Sequence, residues 1–160
     1  MKATLLIVGL CLIVGCTESS EHSEKMDGQE HASSTEITFL NGANSLPGAP
    51  FSNAVQVGNL LFLSGQIGVI PGTREFPEGG FEAQAHQMMN NVKNTVEEFG
   101  SSMDRVVKCL VMIDDMSRWG EFNEIYVQYF PGDKPARSAF GADGLALGAH
   151  FELECIAVMP

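Results

Sequence analysis

Three short segments place polar or charged side chains in apolar surroundings, so they are the candidates for chemistry. The first is Ser64-Gly65-Gln66, where an apolar strand pattern ends in small residues that let a ligand approach the backbone closely. The second is Arg137, which lies between a Lys-Pro turn and a run of small and apolar residues. The third is Glu152, a carboxylate in the last strand pattern. These residue types suit recognition of a small anionic ligand.

Arg137 carries the sharpest chemical implication. A guanidinium among apolar residues is costly unless it is paired, and a ligand carboxylate held by two parallel hydrogen bonds is one suitable partner. Each candidate also has a purely structural interpretation. In that interpretation, Arg137 pairs within the chain with Asp133, Asp143 or Glu152. Glu152 and Glu154 then form an ordinary solvated strand face, and the serine-glycine segment only ends its strand.

The charge balance adds weight to Arg137. The chain has 9 Lys and Arg against 20 Asp and Glu, a formal net charge of -11. Because phosphate affinity depends on clustered cations, this composition excludes a nucleic-acid binder, and an anionic ligand needs a locally placed cation. The sequence has no Ser-His-Asp set, phosphate-binding loop, dinucleotide-binding glycine motif or Cys-x-x-Cys spacing. Nucleophilic, phosphoryl and hydride chemistry and a metal site therefore find no support in it.

The elements that position these residues follow from apolar periodicity. Apolar runs at 55–57 and 60–63 are joined by Gly58-Asn59, a pair that favours a two-residue hairpin turn. After a loop rich in Gly and Pro, apolar residues recur at spacings of three and four, and Gly100 follows the last of them. This pattern predicts one amphipathic helix. Its apolar positions are Phe81, Ala85, Met88, Val92, Val96 and Phe99.

The second half of the chain predicts a strand, a shorter helix and a final strand. Residues 106–113 are apolar and β-branched, as in a buried strand. Aromatic residues at 119, 122, 126 and 129 mark a helix that stops at Pro131-Gly132. Residues 151–158 alternate, with Phe151 and Leu153 on one face and Glu152 on the other. The order predicts an α+β domain, a mixed sheet with both helices on one face, whose other face is covered in an oligomer.

The N-terminus predicts export rather than a part of the fold. A basic start and an apolar run to Gly15 are too short to cross a bilayer and resemble a signal peptide. The run closes with Ile13-Val14-Gly15-Cys16, which resembles the lipobox of bacterial lipoproteins, in which the cysteine is lipidated. Thr17 after the cysteine resembles the outer-membrane sorting class, so we expect a lipid anchor on the periplasmic side of the cell envelope. The alternative is an ordinary cleaved signal in which Cys16 is incidental.

These observations divide the chain into a signal peptide at 1–15, an acidic tether at 16–36 and a folded domain at 37–160. The tether is too poor in apolar residues to fold. Only Cys109 and Cys155 then remain in the domain, each inside an apolar strand pattern. Two buried free thiols are the favoured interpretation, and a disulfide is the alternative if the two strands are neighbours.

Four segments of the domain carry a resemblance to a known family. They are Ala49 to Val55, Val57 to Ile67, Lys134 to Ser138, and Glu152 to Val158, in the family's order and spacing. They look like the RidA family, also called YjgF/YER057c/UK114, over roughly residues 39–160. The resemblance implies a chorismate-mutase-like α+β subunit and a homotrimer with clefts between neighbouring subunits.

The same resemblance implies hydrolytic deamination of 2-imino acids, or their enamine tautomers, to 2-oxo acids and ammonia, without metal or organic cofactor. The family's carboxylate-binding arginine matches Arg137, and the acid that positions or activates water matches Glu152. The pocket-lining serine and glycine match Ser64 and Gly65. An iminium carbon is already electrophilic, so orientation, a polarised water and a proton shuttle are enough for this reaction.

Two departures from the family pattern qualify this expectation. Phe51 stands where the family has a tyrosine that contributes to the site across the subunit interface, so one hydroxyl is absent. Ala139 stands where archetypes carry a cysteine, although its backbone groups can still serve. We expect deaminase activity that is retained but reduced or redirected. The alternative is a non-catalytic trimer that binds small carboxylates or protects other envelope proteins.

Overall fold

A computed structural model of the chain describes residues 36–43 and 45–160. The predicted signal peptide, the lipidation site at Cys16 and all of the tether except Glu36 lie outside these residues. They stay predictions.

In the part of the chain that the structure describes, seven strands form one mixed sheet. The strands are β1 (Ile37–Leu40), β2 (Ala54–Val57), β3 (Leu60–Leu63), β4 (Gln66–Ile67), β5 (Val106–Ile113), β6 (Ala136–Gly141) and β7 (Phe151–Val158). Their order is β1-β2-β3-β7-β5-β6, with β4 also pairing with β7. The β5–β6 pair is parallel and the other pairs are antiparallel. The predicted hairpin is confirmed, because Val57 and Leu60 face each other across a two-residue turn.

Two helices, α1 (Gly80–Glu98) and α2 (Trp119–Tyr126), pack on one face of this sheet. The predicted α1 pattern is confirmed: Phe81, Ala85, Met88, Val92 and Val96 are all buried. The helix ends at Glu98, and Gly100 follows it with a φ of 86°, a conformation that glycine adopts readily. The second helix is shorter than predicted, since a 3-10 turn, Val127–Tyr129, replaces its last turn. Within the described ranges, no helix combines the length and apolar character that a membrane span requires.

The two faces of the sheet differ as predicted. On β7, Phe151, Leu153 and Cys155 are buried against the helices, whereas the intervening positions are half-buried or exposed. On the other face, Phe62 and Phe140 remain 38% and 48% exposed in the single chain. The apolar face without a helical cover, inferred from the sequence, is therefore present.

Three strands were not predicted from the sequence. β1 is a short strand at one edge, β4 is a two-residue strand paired with β7, and β6 occupies a segment expected to be a turn followed by small residues. β6 is rich in Ala, Ser and Gly, which have weak strand propensity, and it forms because β5 offers it a parallel ladder from Lys108 to Ile113.

The expectation of two free thiols is wrong. Cys109 and Cys155 are directly opposite each other on β5 and β7, with Cα atoms 4.2 Å apart, and form a disulfide. Both residues are buried, at 0% and 1% exposure. The apolar strand patterns predicted correctly that both cysteines are buried, but the register that brings them together is a tertiary property.

Candidate active site

A cleft of about 700 Å³ lies beside the ends of β3 and β4. Ser64, Gly65, Phe51 and Glu152 all line it, together with Gln66. Four residues expected at the site from the sequence are thus brought together in one chain. The cleft also contains a cation that was not predicted from the sequence, Arg74, in the exposed loop before α1.

Glu152 is the acidic residue of this cleft that the family resemblance implies positions or activates water. Its carboxylate accepts no hydrogen bond from any side chain or backbone group of residues 36–43 and 45–160. Partial burial raises the pKa of Glu152 above its usual value, and the negative charge of Glu154 raises it further. A carboxyl group with a raised pKa is a better proton acceptor and donor near neutral pH.

The Glu152 side chain explains why a glycine, Gly65, stands just after β3. A Cβ atom built on Gly65 would lie 2.7 Å from Cδ of Glu152, closer than atoms can approach. The carboxyl group therefore occupies the space that a side chain at position 65 would fill. The absence of a side chain on Gly65 is a condition for the position of Glu152 in the cleft.

Hydrogen bonds hold the strand ends around Gly65. The Ser64 hydroxyl donates to the Ser52 carbonyl at 2.7 Å, and the Gln66 amide donates to the Ser64 carbonyl at 3.2 Å. On α1, the buried Asn91 side chain donates to the carbonyls of Ile67 and Val69 at 2.9 and 2.8 Å. These bonds fix the loop that forms one wall of the cleft. Asn91 was not predicted as a positioning residue. The sequence signal for it is an amide side chain among the apolar positions of α1.

Arg137 lies elsewhere in the chain, on β6 against α2. Its guanidinium donates to Oδ1 of Asn123 at 2.6 Å. The same group stacks 4.6 Å above the ring of Trp119 and 4.3 Å above the ring of Tyr126. Burial lowers the pKa of Arg137, yet a guanidinium remains charged in proteins. The spacing of these three α2 residues puts them on one helix face, a signal that the sequence reasoning did not use.

The structural alternatives for Arg137 are wrong for the described part of the chain. The ion pairs among the described residues are Lys93–Glu97, Arg118–Glu121 and His150–Asp114, and none of them includes Arg137. A partly buried guanidinium held by rings and one amide keeps donors for an external anion. Ala139 follows on the same face of β6, half-buried against the core.

Within one chain, Arg137 and Glu152 cannot reach the same ligand. Arg137 is the register partner of Cys109, which faces the helices, and its side chain contacts α2. Glu152 is the register partner of Met112 and points from the other face. Side chains on opposite faces of a sheet are separated by its backbone. The chain thus carries two partial sites: a cleft with Glu152, and a guanidinium site with Arg137 and Ala139.

Comparisons with known proteins agree with this fold. Residues 42–159 match the family model described as Endoribonuclease L-PSP. Protein HMF1 of Saccharomyces cerevisiae is 44% identical over 68% of this chain and 84% of its own length. The 2-iminobutanoate/2-iminopropanoate deaminase of Mus musculus is 38% identical over 68% of this chain and 81% of its own length.

A solved structure extends the agreement to three dimensions. The crystal structure of RidA from an Antarctic bacterium, Psychrobacter sp., superposes with a TM-score of 0.71 at 35% identity. The alignment covers 76% of this chain and 99% of that chain. The sheet with two helices on one face, the matched residues and these identities lead to one conclusion: the chain belongs to the RidA (YjgF, L-PSP) family.

Proposed function

We propose that this protein hydrolyses 2-imino acids, or their enamine tautomers, to 2-oxo acids and ammonia. The observation that carries the proposal is the guanidinium of Arg137, which is partly buried, preset by Asn123 and two rings, and without a carboxylate partner in the described ranges. It is suited to hold a ligand carboxylate. The deaminase names of relatives such as the mouse protein support the same reaction.

Glu152 supplies the proton transfers that this reaction needs. As a carboxylate it takes a proton from water while the water oxygen bonds to C2 of the protonated imine, which gives a carbinolamine. Protonated Glu152 then returns the proton to the amine nitrogen, the C–N bond breaks, and ammonia leaves. The hydroxyl loses its proton, so one water enters and one ammonium ion and one 2-oxo acid leave. The raised pKa of Glu152 makes its carboxylate a stronger proton acceptor than an exposed glutamate.

The complete site needs a second copy of the chain. Because Arg137 and Glu152 project from opposite faces of the sheet, a neighbouring subunit must present one of them to the other. We therefore propose a homotrimer in which the apolar faces carrying Phe62 and Phe140 are buried and each cleft joins two subunits.

A carboxylate-binding module without turnover is the second candidate. The observation that favours it is Phe51, whose ring lines the cleft where a tyrosine hydroxyl would hold water or substrate. This candidate predicts tight binding of a 2-oxo acid with no hydrolysis of any imino acid.

Export with a lipid anchor on Cys16 is proposed for the same protein. The lipobox pattern before Cys16 supports it, and the Cys109–Cys155 disulfide adds an independent argument. Disulfides form and persist in oxidising compartments such as the bacterial periplasm. We place the protein at the bacterial cell envelope, on the periplasmic side of the outer membrane, facing imines of that compartment.

The central test is imine hydrolysis by the full chain purified in detergent. 2-Iminopropanoate and 2-iminobutanoate are generated in situ by an amino acid oxidase and their loss is followed. We expect Arg137→Ala to abolish hydrolysis, and Glu152→Gln to lower kcat by about 100- to 10,000-fold. Arg105→Ala, which removes a cation outside the cleft, is the matched control. Equal rates for wild type and Arg137→Ala would refute the proposal.

Mixing the two inactive variants tests the shared site. A trimer that contains both Arg137→Ala and Glu152→Gln chains has one interface with an intact pair. Random reassembly of equal amounts should therefore recover about a quarter of wild-type activity. Recovery of none would show that both groups act within one chain or that the assembly differs.

A further inference from the structure

The cleft beside Glu152 has a rim of large apolar side chains that remain exposed. Leu46, Phe51 and Leu147 all line it, and their exposures are 47%, 57% and 48%. Leu46 and Phe51 come from the loop between β1 and β2, and Leu147 comes from the turn before β7. Two separate segments thus bring apolar surface to one opening, which is typical of a ligand-binding cleft.

Leu147 reaches this rim through an unfavourable backbone conformation. Its φ is 57°, and no other residue of the described ranges except glycine has a positive φ. This left-handed conformation is disfavoured for a branched side chain by about 1–2 kcal/mol. Glycine or asparagine would fit the turn better, so the backbone conformation does not explain why a leucine stands at this position.

The dimensions of the cleft also favour a large ligand. Its volume of about 700 Å³ lies in the range of pockets that hold drug-sized ligands. A three-carbon imino acid fills a small part of that space. Its walls include further apolar residues such as Ile67 and Val69, so a longer apolar substituent would find contact along them.

We propose that the site selects 2-imino acids with a large apolar side chain, such as the imine of leucine, over the imine of alanine. The inference rests on the proposed deaminase function and adds a substrate class to it. Leu147, Leu46 and Phe51 form the surface that contacts the substituent while Glu152 serves the reacting carbon. Burial of an apolar substituent against these residues supplies the selectivity.

The test compares kcat/KM for the imines of leucine and alanine, generated in situ from the two amino acids. We expect the full chain to favour the leucine imine, and Leu147→Asn to lower the ratio of the two kcat/KM values about tenfold. Asparagine tolerates the left-handed conformation, so this variant should fold. Leu147→Gly removes the apolar surface and relaxes the backbone at once, and it should lower the ratio while raising the thermal stability. Val127→Asn is the matched control, since Val127 is 46% exposed and lies outside the cleft.

Each other outcome contradicts a different statement. Hydrolysis of both imines with a ratio that neither Leu147 variant changes overturns this inference and leaves the deaminase function standing. A change of oligomeric mass in Leu147→Asn, measured by light scattering, overturns it as well, because Leu147 then holds subunits together instead of contacting the substituent. Hydrolysis of neither imine overturns the proposed function itself, and this inference with it.

Discussion

The carboxylate of Glu152 and the guanidinium of Arg137 lie on opposite faces of one sheet, and their surroundings differ as much as their charges. Glu152 rests in a cleft against the bare backbone of Gly65, with a raised pKa. Arg137 is held on β6 by one amide and two aromatic rings. In the proposed mechanism, Glu152 must change protonation and has few fixed partners, whereas Arg137 only binds and is preset. The comparison predicts that damage near Glu152 changes kcat and damage near Arg137 changes KM.

The disulfide joins the two regions, so its loss should have the largest effect. Cys155 belongs to the strand of Glu152, and Cys109 is the register partner of Arg137. The double variant Cys109→Ala/Cys155→Ala should lower the free energy of unfolding by about 2–4 kcal/mol, because the bridge closes a loop of 46 residues. Urea denaturation measures this loss. A midpoint equal to that of the oxidised wild type would contradict a stabilising bridge.

Gly65→Ala tests whether the position of the Glu152 carboxyl group determines activity independently of the stability of the fold. The new methyl group would displace the carboxyl group of Glu152, which is the flexible end of a side chain and can move at small cost. We expect kcat to fall about 100-fold, because a misplaced catalytic group costs about that factor.

Gly120→Ala on α2 is the matched control for that variant. A Cβ atom at Gly120 would meet nothing within 4 Å. Thermal unfolding of Gly65→Ala should resemble that of the wild type, whereas Gly120→Ala should unfold at an equal or slightly higher temperature, because alanine favours a helix more than glycine does. If Gly65→Ala keeps full kcat, the contact with Glu152 does not determine activity.

Asn123→Ala tests the other side of the comparison. Removal of the 2.6 Å hydrogen bond to the charged guanidinium leaves Arg137 less well oriented. KM for an imino acid should rise about tenfold with little change in kcat, since hydrogen bonds to charged groups contribute about 1.5–3 kcal/mol. Gln128→Ala, which removes an exposed amide that follows α2, should leave KM unchanged. A loss of kcat alone would contradict the division of roles.

Glu154→Gln should produce the smallest effect, a displacement of the pH profile. The charge of Glu154 raises the pKa of Glu152, so its removal lowers that pKa. In the proposed mechanism Glu152 acts first as a carboxylate, so the acid limb of the kcat profile should move to lower pH. Because Glu154 is exposed, the displacement should shrink at high salt. Glu78→Gln, an exposed carboxylate outside the cleft, should leave the profile where it is.

Periodicity predicted the elements with strong apolar patterns and missed those without one. The α1 spacing and the alternation of β7 fixed which side chains face the core, and the structure agrees at each position from Phe151 to Cys155. β6 has no such pattern, because its ladder with β5 stabilises residues of weak propensity. Local sequence carries little information about a strand of this kind.

The sequence predicted candidate site residues one by one, but not their arrangement. Ser64, Gly65, Phe51 and Glu152 line one cleft of a single chain, whereas the resemblance implied that position 51 reaches the site from a neighbouring subunit. That Arg137 projects from the opposite face depends on register, which the sequence does not specify. The same reason explains the wrong expectation for the two cysteines, since only the β5–β7 pairing shows them to be opposite each other.

Leu147 has a consequence for laboratory evolution. Its left-handed backbone makes it a position where selection for stability and selection for substrate range favour different residues. A library screened for heat resistance alone should enrich glycine and asparagine at position 147, whereas one screened for growth on a bulky apolar amino acid should retain leucine. A stabilised version of this protein that keeps its substrate range must therefore take its mutations from other positions.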